Sequence, residues 1–345
     1  MRRTGWMQGL LSAVAAIGLL ASAPAKADPV ADFYRGKQIT FLVGSDPGGG
    51  YDLLARLVAR HLGQFIPGNP GVIVENMPGA GSILLSNRVY NTAPKDGTVI
   101  GLVQRGVLLS ETTGQPGVHY DLSKFNWIGS VNAEVSMVTA WHTAPVNSFA
   151  DLRTIGMVVG GTGATSDSEA SARMLIALTG AKLTVVSGYP GTADVILAME
   201  RGELQGIADL SWPELKAKGG KYTDGSLKFL AQNELVKSPD MPNVPLTIEF
   251  VQNASDKPVA ELFWAIKQVA RPILSGPNIP PERVAALRDG FDAMVKDPGF
   301  LDDAKAMKLE LAPSGHASVE AYLAKTKAAS PEVKARLTEI LNTKK

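Results

Sequence analysis

Three times along this chain a short apolar, β-branched run leads into a glycine-rich loop and is followed by a run with helical spacing. The first is Gln38-Ile39-Thr40-Phe41-Leu42-Val43, closed by Gly44 and followed by Leu53, Leu54, Leu57, Val58 and Leu62 at helical intervals. The second is Val72-Ile73-Val74-Glu75-Asn76, the loop Met77-Pro78-Gly79-Ala80-Gly81, and a helix from Ser82 through Tyr90. The third is Ile155 to Val159, the turn Gly160-Gly161-Thr162-Gly163-Ala164-Thr165, and a helix from Ser166 to Leu178. Near-continuous apolar strands with helical crossovers predict an α/β fold with parallel strands and helices on both faces. Thr98 to Val103 supplies a third strand for the first unit; Leu183 to Val186 and Ile207 to Leu210 do so for a second. Farther on, Phe263 to Val269 reads as a strand, and helical spacing covers Ala285 to Met294 and Val319 to Leu341.

The amino terminus carries Arg2 and Arg3, an apolar run from Leu10 to Ala21 and the small-residue site Ala25-Lys26-Ala27, the order of a secretory leader. The run is shorter than the roughly 20 residues of a membrane span. Residues 1–27 are therefore expected to be removed, leaving a periplasmic protein. That segment holds Arg2, Arg3 and Lys26 and no acid, so 34 Lys+Arg against 33 Asp+Glu become 31 against 33. A balance so near neutrality, without basic clusters interleaved with aromatics, argues against nucleic acid as a partner. The chain has no cysteine, which excludes disulfides, thiol nucleophiles and thiolate metal sites, so its stability must come from a large core. Its length suggests two domains.

Ligands of parallel α/β sheets bind beyond the carboxyl ends of the strands. Three loops stand there. Ser45-Asp46-Pro47-Gly48-Gly49-Gly50-Tyr51-Asp52 can bring backbone N–H groups to an anion at a helix start, and Pro78-Gly79-Ala80-Gly81-Ser82 repeats that context one unit later. Gly160 to Ser168 adds the hydroxyls of Thr162, Thr165, Ser166 and Ser168. Glycine-rich turns also arise wherever a tight connection needs positive φ, so the argument rests on their shared topological position. Gly161-x-Gly163 is followed by Ser166 where a dinucleotide fingerprint has its third glycine, so no nicotinamide cofactor is expected. Asp52 reads first as a helix-start partner of the backbone, and Asp209, at the end of a short strand, as a residue reaching the cleft.

No catalytic constellation emerges. His61, His119, His142 and His316 form no zinc motif, and no G-x-S-x-G elbow occurs. The expectation is a non-enzymatic binding protein without metal or cofactor. A sensor signalling through a membrane partner and a secreted enzyme are the alternatives.

The residues ITFLV, PGGGYD and LLAR, then VIVENMPGAGS and APKDGTVIG, then GGTGATS, resemble the solute receptors of tripartite tricarboxylate transporters, the Bug family. The resemblance continues through Val186 to Ala193, ERGELQG, RPILSGPNIPPERVAALRDGF and KDPGFLDDA. It implies a type II periplasmic binding protein fold with two α/β lobes around a central cleft. Residues 28–130 with 245–345 would form the first lobe and 131–244 the second. It further implies a monomer that takes a small carboxylate and delivers it to membrane permease subunits.

By position, the ligand-binding residues implied are Ser45, Gly48, Gly49, Gly50, Tyr51, Asp52, Gly79, Ala80, Gly81 and Ser82 in the first lobe. Thr162, Ser166, Tyr189, Gly191, Thr192 and Asp209 would select the distal group from the second. Gly44-Ser45-Asp46-Pro47 and Tyr51-Asp52 depart from the family's pattern: Tyr51 would narrow the pocket, and an inward Asp46 would repel an anion. A less anionic or aromatic acid is therefore as well suited as a tricarboxylate.

Overall fold

The structure is a computed structural model that describes residues 28–163, 166–217, 222, 224–309 and 311–342. The leader expected over 1–27 and the hydroxyl of Thr165 lie outside the described residues.

After α1 (Pro29–Tyr34) the first unit runs β1 (Gln38–Val43), α2 (Gly50–Leu62), β2 (Gly71–Asn76), α3 (Ile83–Asn91) and β3 (Val99–Leu102), and then β4 (Asn126–Ser130). The second unit is β5 (Ser136–Trp141), β6 (Met157–Gly160), α4 (Asp167–Thr179), β7 (Leu183–Val186), α5 (Thr192–Glu200), β8 (Gly206–Ser211), α6 (Trp212–Ala217) and β9 (Leu227–Gln232). The chain then returns through α7 (Lys257–Ala265) to β10 (Pro272–Ser275), α8 (Pro281–Met294), α9 (Pro298–Ala306), β11 (Ser314–Gly315), α10 (His316–Ala328) and α11 (Pro331–Asn342).

Two sheets result, ordered β11-β4-β10-β3-β1-β2 and β7-β6-β8-β5-β9. β2, β1 and β3 are parallel, as are β7, β6 and β8, while β10 and β5 run antiparallel to their neighbours. Ile39, Phe41, Leu42 and Val43 are all buried, because helices cover both faces of β1. The carboxyl ends of β1, β2 and β3 consequently open onto one edge, where the glycine loops lie. One continuous set of buried side chains links α3 and Leu42, Trp127 and Leu274 of the first sheet with β5, β6 and α4 of the second lobe and with α7, α10 and α11.

The run Phe263 to Val269, expected as a strand, is instead the end of α7 and a 3-10 turn over Ile266–Val269, and the strand follows at Pro272. Leu262, Phe263, Trp264, Ile266 and Val269 are all buried. With Gln268 the one exposed residue of the run, burial around most of its circumference weakens the helical periodicity that would separate such a segment from a core strand. The helical spacing of Val319 to Leu341 belongs to two helices, broken at Ala329 and Ser330 ahead of Pro331, which opens α11. Residues 246–252 pack with the second lobe: Phe250 stacks on Phe149 at 4.3 Å between ring centroids and its carbonyl accepts from Arg153 at 2.5 Å.

Candidate functional site

The two glycine loops of the first lobe are locked together. At Gly44, directly after β1, a Cβ would lie 2.0 Å from Ser82 Oγ, so only glycine lets the loops approach this closely. Ser82 Oγ donates to the Gly44 carbonyl at 2.9 Å and accepts from Gln104 N at 3.0 Å. Gly79, Ala80, Gly81 and Ser82 all have positive φ, at 144°, 46°, 61° and 73°. For Ala80 and Ser82 this is a strained backbone that the surrounding bonds must hold, a condition concentrated at functional sites.

Asp52 occupies the first turn of α2 and is buried. Its carboxylate accepts from Gly48 N at 2.8 Å, Arg56 Nε at 2.9 Å and Asn76 Nδ2 at 2.9 Å, and the Arg56 bond foremost brings it down to about 2. Asn76 also donates to the Ser45 carbonyl at 3.0 Å. Asp52 thus fastens the Ser45–Gly50 loop to β2. Gly49 caps α2 without a side-chain bond, and Gly50 sits where a Cβ would meet Glu214 Oε1 of α6 at 3.6 Å, so the loop tip faces the second lobe. Asp46 is exposed. Tyr51 turns its ring under the Arg271 guanidinium, 4.1 Å from the centroid; its hydroxyl donates to the Ala270 carbonyl at 3.2 Å and accepts from Arg105 N at 3.4 Å.

In the second lobe, Ser166 caps α4, accepting from Glu169 N at 3.4 Å, and shares a hydrogen bond with Ser168 at 3.0 Å; Thr162 N reaches Ser168 Oγ at 3.4 Å. The loop carries its own anion. Buried Glu169 accepts from Gly163 N at 3.0 Å and from Ser187 Oγ, with Arg173 at 3.8 Å. Tyr189 N donates to the Gly161 carbonyl at 3.2 Å, and its ring packs against a core that includes Met137 and Trp212. Gly191 caps α5, and Thr192 is its first residue.

Between the lobes lies a layer of buried charge. Asp209 accepts from Lys267 Nζ at 2.5 Å, Ser171 Oγ at 2.6 Å and Asn233 Nδ2 at 3.3 Å, with Arg105 at 3.6 Å. Burial alone would raise its carboxyl, but Lys267 and Arg105 hold it below the usual carboxylate range. Glu134 pairs with Arg271 at 3.1 Å and lies 3.9 Å from Arg105, which reaches across to Asp167 at 2.7 Å. Burial pushes Glu234, which accepts from Ser136 N at 3.2 Å, up to about 8, with Lys267 opposing.

A cavity of about 740 Å³ adjoins this layer. Ala80, Gly81 and Arg105 line it from the first lobe, Asp167, Glu169 and Ser187 from the second, and Phe263, Ile266 and Lys267 from the returning chain. Of the residues singled out in the sequence, Ala80 and Gly81 line this cavity. The PGGGYD loop, Tyr189, Gly191 and Thr192 do not line it, and Asp209 lies beneath the cavity wall against Lys267.

Sequence reasoning missed Arg105, Glu134, Glu234, Lys267 and Arg271. Two signals were available: Gln104-Arg105 follows a strand at the edge where ligands bind, and Lys267 interrupts an apolar run in which a charge needs a buried partner.

Residues 54–310 match the sequence profile of the "Tripartite tricarboxylate transporter family receptor". The chain belongs to that family. Among solved structures, it is similar to a TctC solute binding protein from Polaromonas, at a TM-score of 0.67 and 22% identity over 90% of this chain and 99% of that one. The periplasmic binding protein BugD follows at 0.63 and 21%, covering 89% and 98%. MatC from Rhodopseudomonas palustris, solved with bound malate, gives 0.62 and 18%, covering 89% and 99%. The tripartite-transporter receptor described here therefore has the two-lobed α/β fold of these binding proteins and is a solute receptor, not an enzyme.

Proposed function

We propose that this receptor takes up a small organic carboxylate between its lobes in the periplasm, as a monomer freed of residues 1–27, and delivers it to the permease subunits of a tripartite transporter. The observation that carries the reading is the meeting of the two first-lobe glycine loops at the carboxyl ends of β1 and β2, with Ala80 and Gly81 on the wall of a cavity that both lobes line. Family membership and the malate held by MatC support the same ligand class.

In this reading the backbone of Ser45, Gly49 and Gly50 and of Gly79–Gly81 supplies N–H donors, Gly48 N and Ser82 N stay bonded to Asp52 and the Gly79 carbonyl and hold the loops in shape, Tyr51 narrows the site, and Asp52 and Asp209 stabilise its walls. Thr162, Ser166, Tyr189, Gly191 and Thr192 meet the far end of the ligand when the lobes close. Charge-assisted bonds to fixed donors would provide the affinity.

The test is a thermal-shift screen of residues 28–345 against mono-, di- and tricarboxylates, with neutral sugars and amides as controls. A ligand at 100 times its dissociation constant stabilises by about 2.7 kcal/mol. Gly81→Pro, which removes an N–H and cannot adopt φ 61°, is expected to abolish the shift. A shift from neutral compounds alone would sink the carboxylate reading. Mass spectrometry of the exported protein tests the leader, size-exclusion chromatography the monomer, and co-purification with tripartite-transporter permease subunits the partner.

A further inference from the structure

The buried charges between the lobes are unequally partnered. Asp209 has Lys267 at 2.5 Å and Glu134 has Arg271 at 3.1 Å, and both cations are themselves buried. Each of these pairs is close and complete. Arg105 is the third buried cation, and those two carboxylates stand off from it at 3.6 and 3.9 Å. Its 2.7 Å partner is Asp167, the first residue of α4. The Arg105 side chain is 5% exposed, whereas that of Asp167 is 50% exposed.

A guanidinium cannot shed its proton, so once buried it requires an anion at contact distance. The anion that meets this need here is a half-solvated carboxylate on a short side chain, which water can readily receive if something else takes its place. Arg105 and Asp167 both line the 740 Å³ cavity. The wall also carries the apolar side chains of Val107, Leu109, Phe263 and Ile266, with the neutral polar groups of Ser110, Thr113, Gln115 and Asn342 beside them. The other cations on the wall are committed, Lys267 to Asp209 and Arg173 to Glu169 at 3.8 Å. A second carboxylate on a ligand would meet Glu169 rather than an uncommitted cation.

We infer that Arg105 anchors a ligand carboxylate, which takes over the position held by the Asp167 side chain, and that the ligand is a monocarboxylic acid whose apolar chain or ring lies along Val107, Leu109, Phe263 and Ile266. This deepens the proposed function and rests on its carboxylate reading. Asp167 is then an internal competitor that keeps the buried guanidinium neutralised. The cavity size falls within the range of about 300–1,000 Å³ that suits a ligand with a substantial apolar body.

The experiment is calorimetric titration of residues 28–345 with octanoate, 3-phenylpropionate, malate and octanamide, on wild type and on Asp167→Asn, Arg105→Gln and Arg105→Lys. Octanoate or 3-phenylpropionate should bind more tightly than malate, and octanamide about 100-fold more weakly than octanoate, the scale of a charge-assisted bond. Asp167→Asn removes the competitor and should tighten acid binding about tenfold. Arg105→Gln should lose about 100-fold, with partial recovery in Arg105→Lys.

Arg105→Gln leaves Asp209 and Glu134 with one cation fewer and can fail to fold, in which case Asp167→Asn decides. Unchanged or weakened acid binding in Asp167→Asn would overturn the anchor while leaving the carboxylate receptor intact. Preference for malate would overturn the apolar monocarboxylate. Failure of every acid with wild type would overturn this inference, and the carboxylate reading would fall with it if the thermal-shift panel of mono-, di- and tricarboxylates also gave no shift.

Discussion

The glycine loops of the first lobe and the charged layer between the lobes solve the same problem, holding polar groups away from bulk water, in opposite ways. In the loops every fastening lies within one lobe: Ser82 ties Gly44 to Gln104, and Asp52 ties Gly48 to Arg56 and Asn76. In the layer the fastenings cross over, with Arg105 of the first lobe facing Asp167 and Asp209 of the second, and Lys267 of the returning chain facing Asp209. One region is therefore finished before the lobes meet. The other is finished only where the two lobes meet.

The largest effect should come from breaking the layer. Asp209→Ala leaves Lys267 buried without its carboxylate and is expected to lower stability by about 3–5 kcal/mol in urea unfolding. Gly44→Ala attacks the loops instead, driving a methyl group into Ser82, with an expected loss of about 2 kcal/mol. A smaller cost than this would mean that the two loops can separate without harm.

The pH dependence should separate the regions by sign. Glu234 has a folded pKa of about 8, above its ordinary 4.5, so its contribution is fully present below pH 4.5 and is lost as pH rises toward and through 8. Glu234→Gln should keep its melting temperature where wild type declines between pH 5 and pH 8. Asp52 lies at about 2, below its ordinary 3.8, so its contribution is present above that value and is lost as pH falls toward and through 2. Asp52→Asn should melt lower than wild type at neutral pH by a few degrees, the smallest of these effects, and the gap should close near pH 2. Parallel profiles for the two variants would erase the distinction between the regions.

The same division explains what could be read from the sequence. β1, β2 and β3, with their parallel pairing, were legible because each is an apolar run closed by a loop, and local chemistry fixes both features. The helices after the glycine loops were legible for the same reason. β4, β5 and β9 went unnamed: Asn126–Ser130 is short and polar at both ends, and antiparallel strands lack the strand-turn-helix punctuation. The charged layer was hidden for a different reason. Arg105 and Asp209 lie more than 100 residues apart, and only the tertiary fold brings them to 3.6 Å; no spacing along the chain records that meeting.

Asn342, at the end of α11, lines the cavity and donates to the Thr113 carbonyl at 2.9 Å, beside the apolar wall that runs from Val107. The chain contains no cysteine, so Asn342→Cys would introduce a single thiol at the cavity rim. A polarity-sensitive dye attached there would convert ligand entry into a change of colour or brightness without interference from any other labelled position, making the receptor a reagentless optical sensor for its own solute.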